Sequence, residues 1–228
     1  MQFSPKTTTL LKSFSTINPS IQFKKGNVLR TFSPTKTMFA IAKLEHDIDD
    51  DFCIHDLTRF LSSMSLFSQP NISLTKDKKQ LKIKGDKSEI VYTCAEPKTL
   101  KLPPDGDIVL PSIDCEFSLS NENLQTLFKA MTILGLPEVA VIGKDGKLTL
   151  EAISTDNSMS DGYSLTIGET DKTFKIIFKT ENLKLMPMSY NVAICRATSE
   201  KGVSIISRWT GSENSLIYFI AVDRNSEF

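Results

Sequence analysis

The chain repeats one pattern of elements, and a repeat narrows the possible folds more than any single motif does. Each half reads as a short amphipathic helix, a glycine-turned hairpin, further strands, a second helix and more strands. In the first half the helix is expected over residues 4–17 and the turn at Lys24-Lys25-Gly26-Asn27. In the second half they are expected over 120–134 and at Lys144-Asp145-Gly146-Lys147. The two landmarks recur at nearly the same offset, which predicts two copies of one fold. Nothing between them reads as a reaction centre, so function has to follow from shape.

Local signals place the elements. Ser4-Pro5 is an N-cap with proline at the first helical position. Leu10, Leu11, Phe14 and Ile17 follow at helical spacing, and Asn18-Pro19 ends the run. Strands are expected at 28–33 and 38–43, joined at Ser33-Pro34-Thr35. An acidic stretch, 47–51, leads into a second helix over 54–67 with Leu57, Phe60, Leu61 and Met64 as its apolar stripe. Strands at 81–84 and 90–94 complete this half. Residues 96–111 hold four prolines and Asp105-Gly106, the composition of a connector. It divides the chain into domains at 1–110 and 111–228. The second half opens with a strand at 115–119 and the N-cap Ser120, and its helix faces a core through Leu124, Leu127, Phe128 and Met131. Strands are expected at 139–142, 148–153, 163–167 and 174–178. A short fourth helix over 181–186 ends at Pro187, and strands follow at 190–196, 203–209 and 216–222. Amphipathic helices on one side of antiparallel sheets make the class α+β.

Composition excludes several functions. Hydrophobic residues make up 40% of the 228, enough for a real core. No apolar run approaches the length of a membrane span and no secretory leader is visible, so neither secretion nor membrane insertion is expected. Cys53, Cys94, Cys115 and Cys195 are scattered without a CxxC pair and read as thiols in a reducing compartment. The formal net charge is zero, which argues against holding nucleic acid by bulk phosphate neutralisation. His46 and His55 are the only histidines. His46 adjoins Asp47, Asp49, Asp50 and Asp51, but the run lacks the spacing and the glycine of a calcium loop and reads as a solvated turn. No nucleophile elbow, Walker loop, dinucleotide fingerprint or zinc spacing occurs. No catalytic residue, metal ligand or cofactor is expected, and the chain does not read as an enzyme.

The cations follow a rule of their own. At 100° per residue, Lys12 points about 170° from the apolar centroid of the first helix, Arg59 about 140° from that of the second and Lys129 about 160° from that of the third. Three helices thus each place one cation near the middle of a face that is mostly Ser, Thr, Asn or Gln, with Glu122 the acidic exception. Solvated lysines are ordinary taken singly; recurrence at repeated positions marks a surface that stays near DNA phosphates without gripping them. Lys6 belongs to the same set, and Lys184, on the short fourth helix, is a weaker member.

The chain resembles the sliding clamps (DNA polymerase processivity factors) of T-even-type bacteriophages, over essentially its whole length. The segments that carry the resemblance are Thr7 through Asn18, Asp56-Leu57 through Phe60-Leu61 to Ser65-Leu66, Asn123 through Leu127, Tyr163 through Gly168, and the acidic ending before Phe228. The resemblance implies a PCNA-like homotrimeric ring of six similar domains, with helices lining a hole around duplex DNA and sheets outside. Lys12 and Lys129 fall where the family carries pore-facing cations. Arg59 stands where some relatives are neutral, and Thr132 where relatives can be basic. The resemblance also implies partners: the phage DNA polymerase, docking a C-terminal peptide beside the connector, an ATP-dependent clamp loader, and late-transcription factors for which such clamps act as mobile activators. Leu102, Ile108, Val109, Leu110 and Val222 are the candidate pocket. The implied location is the cytoplasm of the infected bacterial host. Two other readings stand beside it: a non-ring DNA-binding module of similar fold, and a carboxylate- and metal-dependent hydrolase built on the 47–51 run.

Overall fold

The structure, a computed structural model, describes every residue except Asp107, Pro111, Ser158, Glu200, Lys201, Asn214 and Phe228, and only the backbone of 197–199 and 202–203. Pro111 of the expected connector and the terminal Phe228 therefore lie outside the described residues. The chain divides into two compact units, Met1–Gly106 and Asp107–Phe228.

The first unit begins with helix α1 (Pro5–Ile17). The Ser4 hydroxyl accepts a hydrogen bond from the Thr7 N–H at 3.1 Å, as an N-cap should. The helix buries Thr7, Leu10, Leu11, Phe14 and Ile17. Its exit is locked by Asn18, whose amide donates to the Phe32 carbonyl and whose oxygen accepts from the Ser20 N–H. Then come β1 (Ile21–Phe23), β2 (Gly26–Phe32), β3 (Met38–Ile48) and β4 (Phe52–Ile54), hydrogen-bonded in the order β4-β1-β2-β3. Helix α2 (Leu57–Met64), capped by the Asp56 carboxylate, buries Leu57, Phe60, Leu61 and Met64. β5 (Asn71–Leu74), β6 (Gln80–Lys84) and β7 (Glu89–Thr93) form a three-stranded antiparallel sheet. Phe23 stacks on Phe52 at 4.5 Å, and Phe60 meets Tyr92 edge-on at 5.3 Å.

The second unit runs β8 (Cys115–Leu119), α3 (Asn121–Leu134), β9 (Glu138–Lys144), β10 (Lys147–Ile153), β11 (Tyr163–Glu169), β12 (Phe174–Lys179), β13 (Tyr190–Ser199), β14 (Gly202–Gly211) and β15 (Leu216–Ala221). β9 to β12 pair in the order β11-β10-β9-β12, the same path that β1 to β4 follow as β3-β2-β1-β4. β13-β14-β15 likewise repeats β5-β6-β7. β8 lies beside β13, and Met1 exchanges two hydrogen bonds with Ile72 of β5 at the equivalent edge. The β9–β10 turn has Asp145 at φ 51° and Gly146 at φ 77°. These are the paired positive angles a two-residue hairpin needs. The core centres on Trp209, which meets Phe178 and Tyr190 edge-on at 5.5 and 6.1 Å.

Several expected elements need correction. The second helix starts at Leu57, not residue 54, and ends at Met64, because 52–54 pair with 21–23 as β4. The acidic stretch is no simple approach to that helix: Asp47 belongs to the end of β3, and β4 intervenes. β4 and β5 have no counterpart among the expected strands, and β1 is the first arm of the expected glycine-turned hairpin. The fourth α-helix does not form. A 3₁₀ turn at Thr180–Asn182 replaces it, and the Thr180 amide and hydroxyl both donate to the Pro137 carbonyl. Two tyrosine hydroxyls then take the backbone of Met186: Tyr190 donates to its carbonyl at 2.6 Å and Tyr218 accepts from its N–H. The α-helices are thus three among the described residues. Phe128, expected in the core, is only half-buried.

Candidate nucleic-acid interface

The cations that the helical projection singled out emerge on solvent-facing surfaces. Lys6, Lys12, Arg59, Lys129 and Lys184 are all exposed. Lys6 and Lys12 ride on α1, Arg59 on α2 and Lys129 on α3. Lys184 sits on the irregular segment that follows the 3₁₀ turn. Lys12, Arg59 and Lys129 form no ion pair among the described residues. Each ammonium or guanidinium therefore keeps its donors for water or an anion.

The hydroxyls around them behave differently. On α1 the Thr9, Ser15 and Thr16 hydroxyls donate to the carbonyls of Pro5, Lys12 and Ser13. On α2 Ser62 and Ser63 donate to Thr58 and Arg59, and on α3 Thr132 donates to Phe128. A hydroxyl has one hydrogen, and these are engaged by their own helices. Several of the hydroxyls beside Lys12 and Arg59, and Thr132 beside Lys129, are thus turned onto their own helices. Sequence reasoning could not find this, because the rotamer of each hydroxyl is set by the helix that carries it.

The expected partner pocket is dispersed in exposure. Leu102, Ile108, Leu110 and Val222 are half-buried, and Val109 is 82% exposed. None of them lines the apolar concavity of about 280 Å³ in the second unit, which is formed by Phe128, Met131, Gly135, Leu136 and Leu183 with Thr132 and Thr180. In the first unit, Lys24 of the β1–β2 turn pairs with Asp105 of the connector.

The acidic run is engaged by neighbours: Lys78 pairs with Asp50 at 2.7 Å, and the Asp51 carboxylate accepts from the Lys25 N–H. Among the described residues no three His, Cys, Asp or Glu side chains converge as a metal site. The cysteines are free, and burial raises the Cys53 and Cys115 thiols and pushes Cys94 up to about 11. Among the described residues no helix is long and apolar enough to cross a membrane.

Comparison with known proteins places the chain in a family. The DNA polymerase processivity factor family matches residues 4–102, and the family described as gp45 sliding clamp, C terminal, matches residues 116–224. The sliding clamp of Enterobacteria phage T4 is 30% identical over the full length of both chains. That of Vibrio phage KVP40 is 31% identical over 98% of this chain and 99% of its own. Among solved structures, the A. fulgidus PCNA bound to the C-terminal region of FEN-1 superposes with a TM-score of 0.65 at 14% identity, covering 96% of each chain.

Proposed function

Since the chain belongs to the sliding clamp family of DNA polymerase processivity factors, and is a scaffold rather than an enzyme, we propose that three copies close into a ring around duplex DNA. A closed ring is retained by topology, so its inner face needs to avoid phosphate friction and not to bind tightly. The observation that carries this reading is the character of the helix faces. Three exposed cations that make no ion pair among the described residues stand on three helices, with several neighbouring hydroxyls turned onto their own helices, which allows loose, screened contact with a passing backbone. Lys12, Arg59 and Lys129, with Lys6 and Lys184, are the DNA-facing set.

Ring closure has a physical basis in the sheet edges. β7 and β11 are edge strands within their units, and unpaired edges invite association. Their counterparts in the repeat, β15 and β3, bury most of their apolar side chains, whereas Val91 on β7 is 51% exposed. Tyr163, Leu165 and Ile167 on β11 are only half-buried. Antiparallel pairing of β7 in one copy with β11 in the next would cover both. Such a head-to-tail contact generates a ring when its rotation closes. Leu66, 74% exposed just beyond α2, and Ile133, 80% exposed near the end of α3, are further apolar surface for that junction.

On this reading the phage DNA polymerase docks through a peptide beside the connector, at Leu102, Ile108, Val109, Leu110 and Val222. An ATP-driven loader opens the ring, and the loaded clamp serves late transcription as a mobile activator, all in the cytoplasm of the infected bacterium. The domains joined by this connector are those of residues 1–110 and 111–228. The A. fulgidus PCNA carrying a C-terminal FEN-1 segment supports the peptide mode. Light scattering across a dilution series tests the ring. A species of roughly three times the 25.4 kDa chain is expected, and a monomer at every concentration would rule the topological mechanism out.

A further inference from the structure

The outer face of β1 and β2 carries a cationic groove that the connector itself closes. Gln22 and Arg30 are cross-strand partners, so their side chains share a face. Val28, two residues before Arg30, lies on that face too. Ile21, Phe23 and Leu29 alternate with them and are buried. Lys43 on β3 stands opposite Val28 in register. Together with Lys24, at the end of β1, this face holds three cations around the partly exposed Val28. Pro103 and Asp105 lie across it, completing a groove with Gln22, Lys24, Val28 and Arg30 that retains only about 10 Å³. That is room for one water at most. The Asp105 carboxylate pairs with the Lys24 ammonium, and the nearby Arg30 charge also favours its ionised form.

We propose that this groove is an acidic-peptide subsite and that Asp105 occupies it in place of a partner. The occupant is an extended segment of the DNA polymerase in which an Asp or Glu side chain follows an apolar residue, the chemistry that Pro103 and Asp105 present to the groove from within the chain. The partner's carboxylate takes the Lys24 and Arg30 charges, its apolar neighbour covers Val28, and the connector lifts away. The Lys24 side chain is 40% exposed and that of Asp105 74% exposed. Their pairing is thus a weak latch that a competing carboxylate can open. The inference rests on the proposed docking of polymerase beside the connector and adds to it the charge of the docking segment and the residue it displaces.

The test is the affinity of labelled full-length clamp for the cognate polymerase, measured by fluorescence anisotropy with the wild type, Asp105→Asn, Lys24→Glu, the Lys24→Glu/Asp105→Asn pair and Leu110→Asp. Releasing the latch in Asp105→Asn should tighten binding about two- to fivefold, the scale of one exposed ion pair. Lys24→Glu should weaken it, and should do so in the Asp105→Asn background too, where no latch remains to be disturbed. All positions are exposed or half-buried, and unchanged thermal unfolding of each variant verifies folding. Unchanged or weaker binding by Asp105→Asn, or indifference of the double variant to Lys24→Glu, overturns the subsite. Were Leu110→Asp also without effect, the connector docking reading itself would fall; a loss there with no response at Lys24 and Asp105 would overturn the subsite alone.

Discussion

Ser207 shows how a single polar residue can organise a core. It is fully buried, donates to the Ile220 carbonyl at 2.8 Å and accepts from the Trp209 indole N–H at 3.0 Å. Ser207→Ala leaves that N–H and one carbonyl lone pair without their partner in a dry environment. The expected loss is about 1–3 kcal/mol, read from the urea midpoint at constant slope. Asp114 gives a pH-dependent counterpart. Its carboxylate accepts from the Arg196 N–H at 2.7 Å and from the Arg196 guanidinium at 3.0 Å. The backbone bond first, and then the Arg196 side chain, hold its pKa below the ordinary carboxylate value. A depressed folded-state pKa contributes stability that is present above the unfolded value, about 3.9, and lost as pH falls through the folded one. The Arg196 side chain that pairs with it is largely exposed. Asp114→Asn should therefore cost only about 1 kcal/mol at neutral pH. The gap from wild type should narrow as pH falls below the unfolded value and close once pH passes the lowered folded one; a gap that does not narrow on acidification would show that charge is not the cause.

Helices α1, α2 and α3 were readable in advance from 3.6-residue periodicity, with the caps Ser4 and Ser120 marking two of the starts. Ser4, Asp56 and Ser120 all act as N-caps through their side-chain oxygens. α3 ends at Gly135 with φ 65°, a left-handed cap that glycine adopts without strain. The cation positions followed from the same periodicity. Lys12 and Lys129 are exposed and make no ion pair among the described residues. Lys12→Glu with Lys129→Glu should therefore leave the melting temperature nearly unchanged. On the proposed ring reading, retention on circular DNA after loading should nonetheless fall severalfold, since two attractive charges per chain become repulsive. A marked drop in melting temperature would count against the solvent-facing assignment. The short elements were hidden for a definite reason. β1 and β4 are three residues each, too short to show alternation, and exist because 21–23 and 52–54 pair with each other. The spacing of Leu183 and Met186 imitates a helix, but Tyr190 and Tyr218 capture the Met186 backbone from elsewhere in the unit.

At the scale of the molecule, the repeat fits the proposed ring, because one junction chemistry could recur at every step around it. The contrast between buried β3 and β15 and half-exposed β7 and β11 points to that junction. Val91→Asp or Leu165→Asp should dissociate the assembly, shifting the scattering mass from three chains toward one at micromolar concentration. Val91 points away from the core of its own unit, so Val91→Asp should leave unfolding of the isolated chain little altered; Leu165 stands opposite the buried Leu150, so Leu165→Asp is read beside its own melting curve. Retention of full trimer mass in both variants would place the junction on other edges.

The sequence by itself determined the duplicated plan, the three main helices with the caps Ser4 and Ser120, the hairpin at Asp145-Gly146, the helix faces that bear Lys12, Arg59 and Lys129, and the family. Each of these rests on residues close together in the chain or on an order repeated along it. Tertiary structure alone decided the short strands, the loss of the fourth helix, the spent hydroxyls and the Lys24–Asp105 pair. Those depend on how the folded backbone places its groups, often across long stretches of chain, such as the 81 positions that separate Lys24 from Asp105. No local pattern reports which backbone or charge will be waiting when the chain folds back.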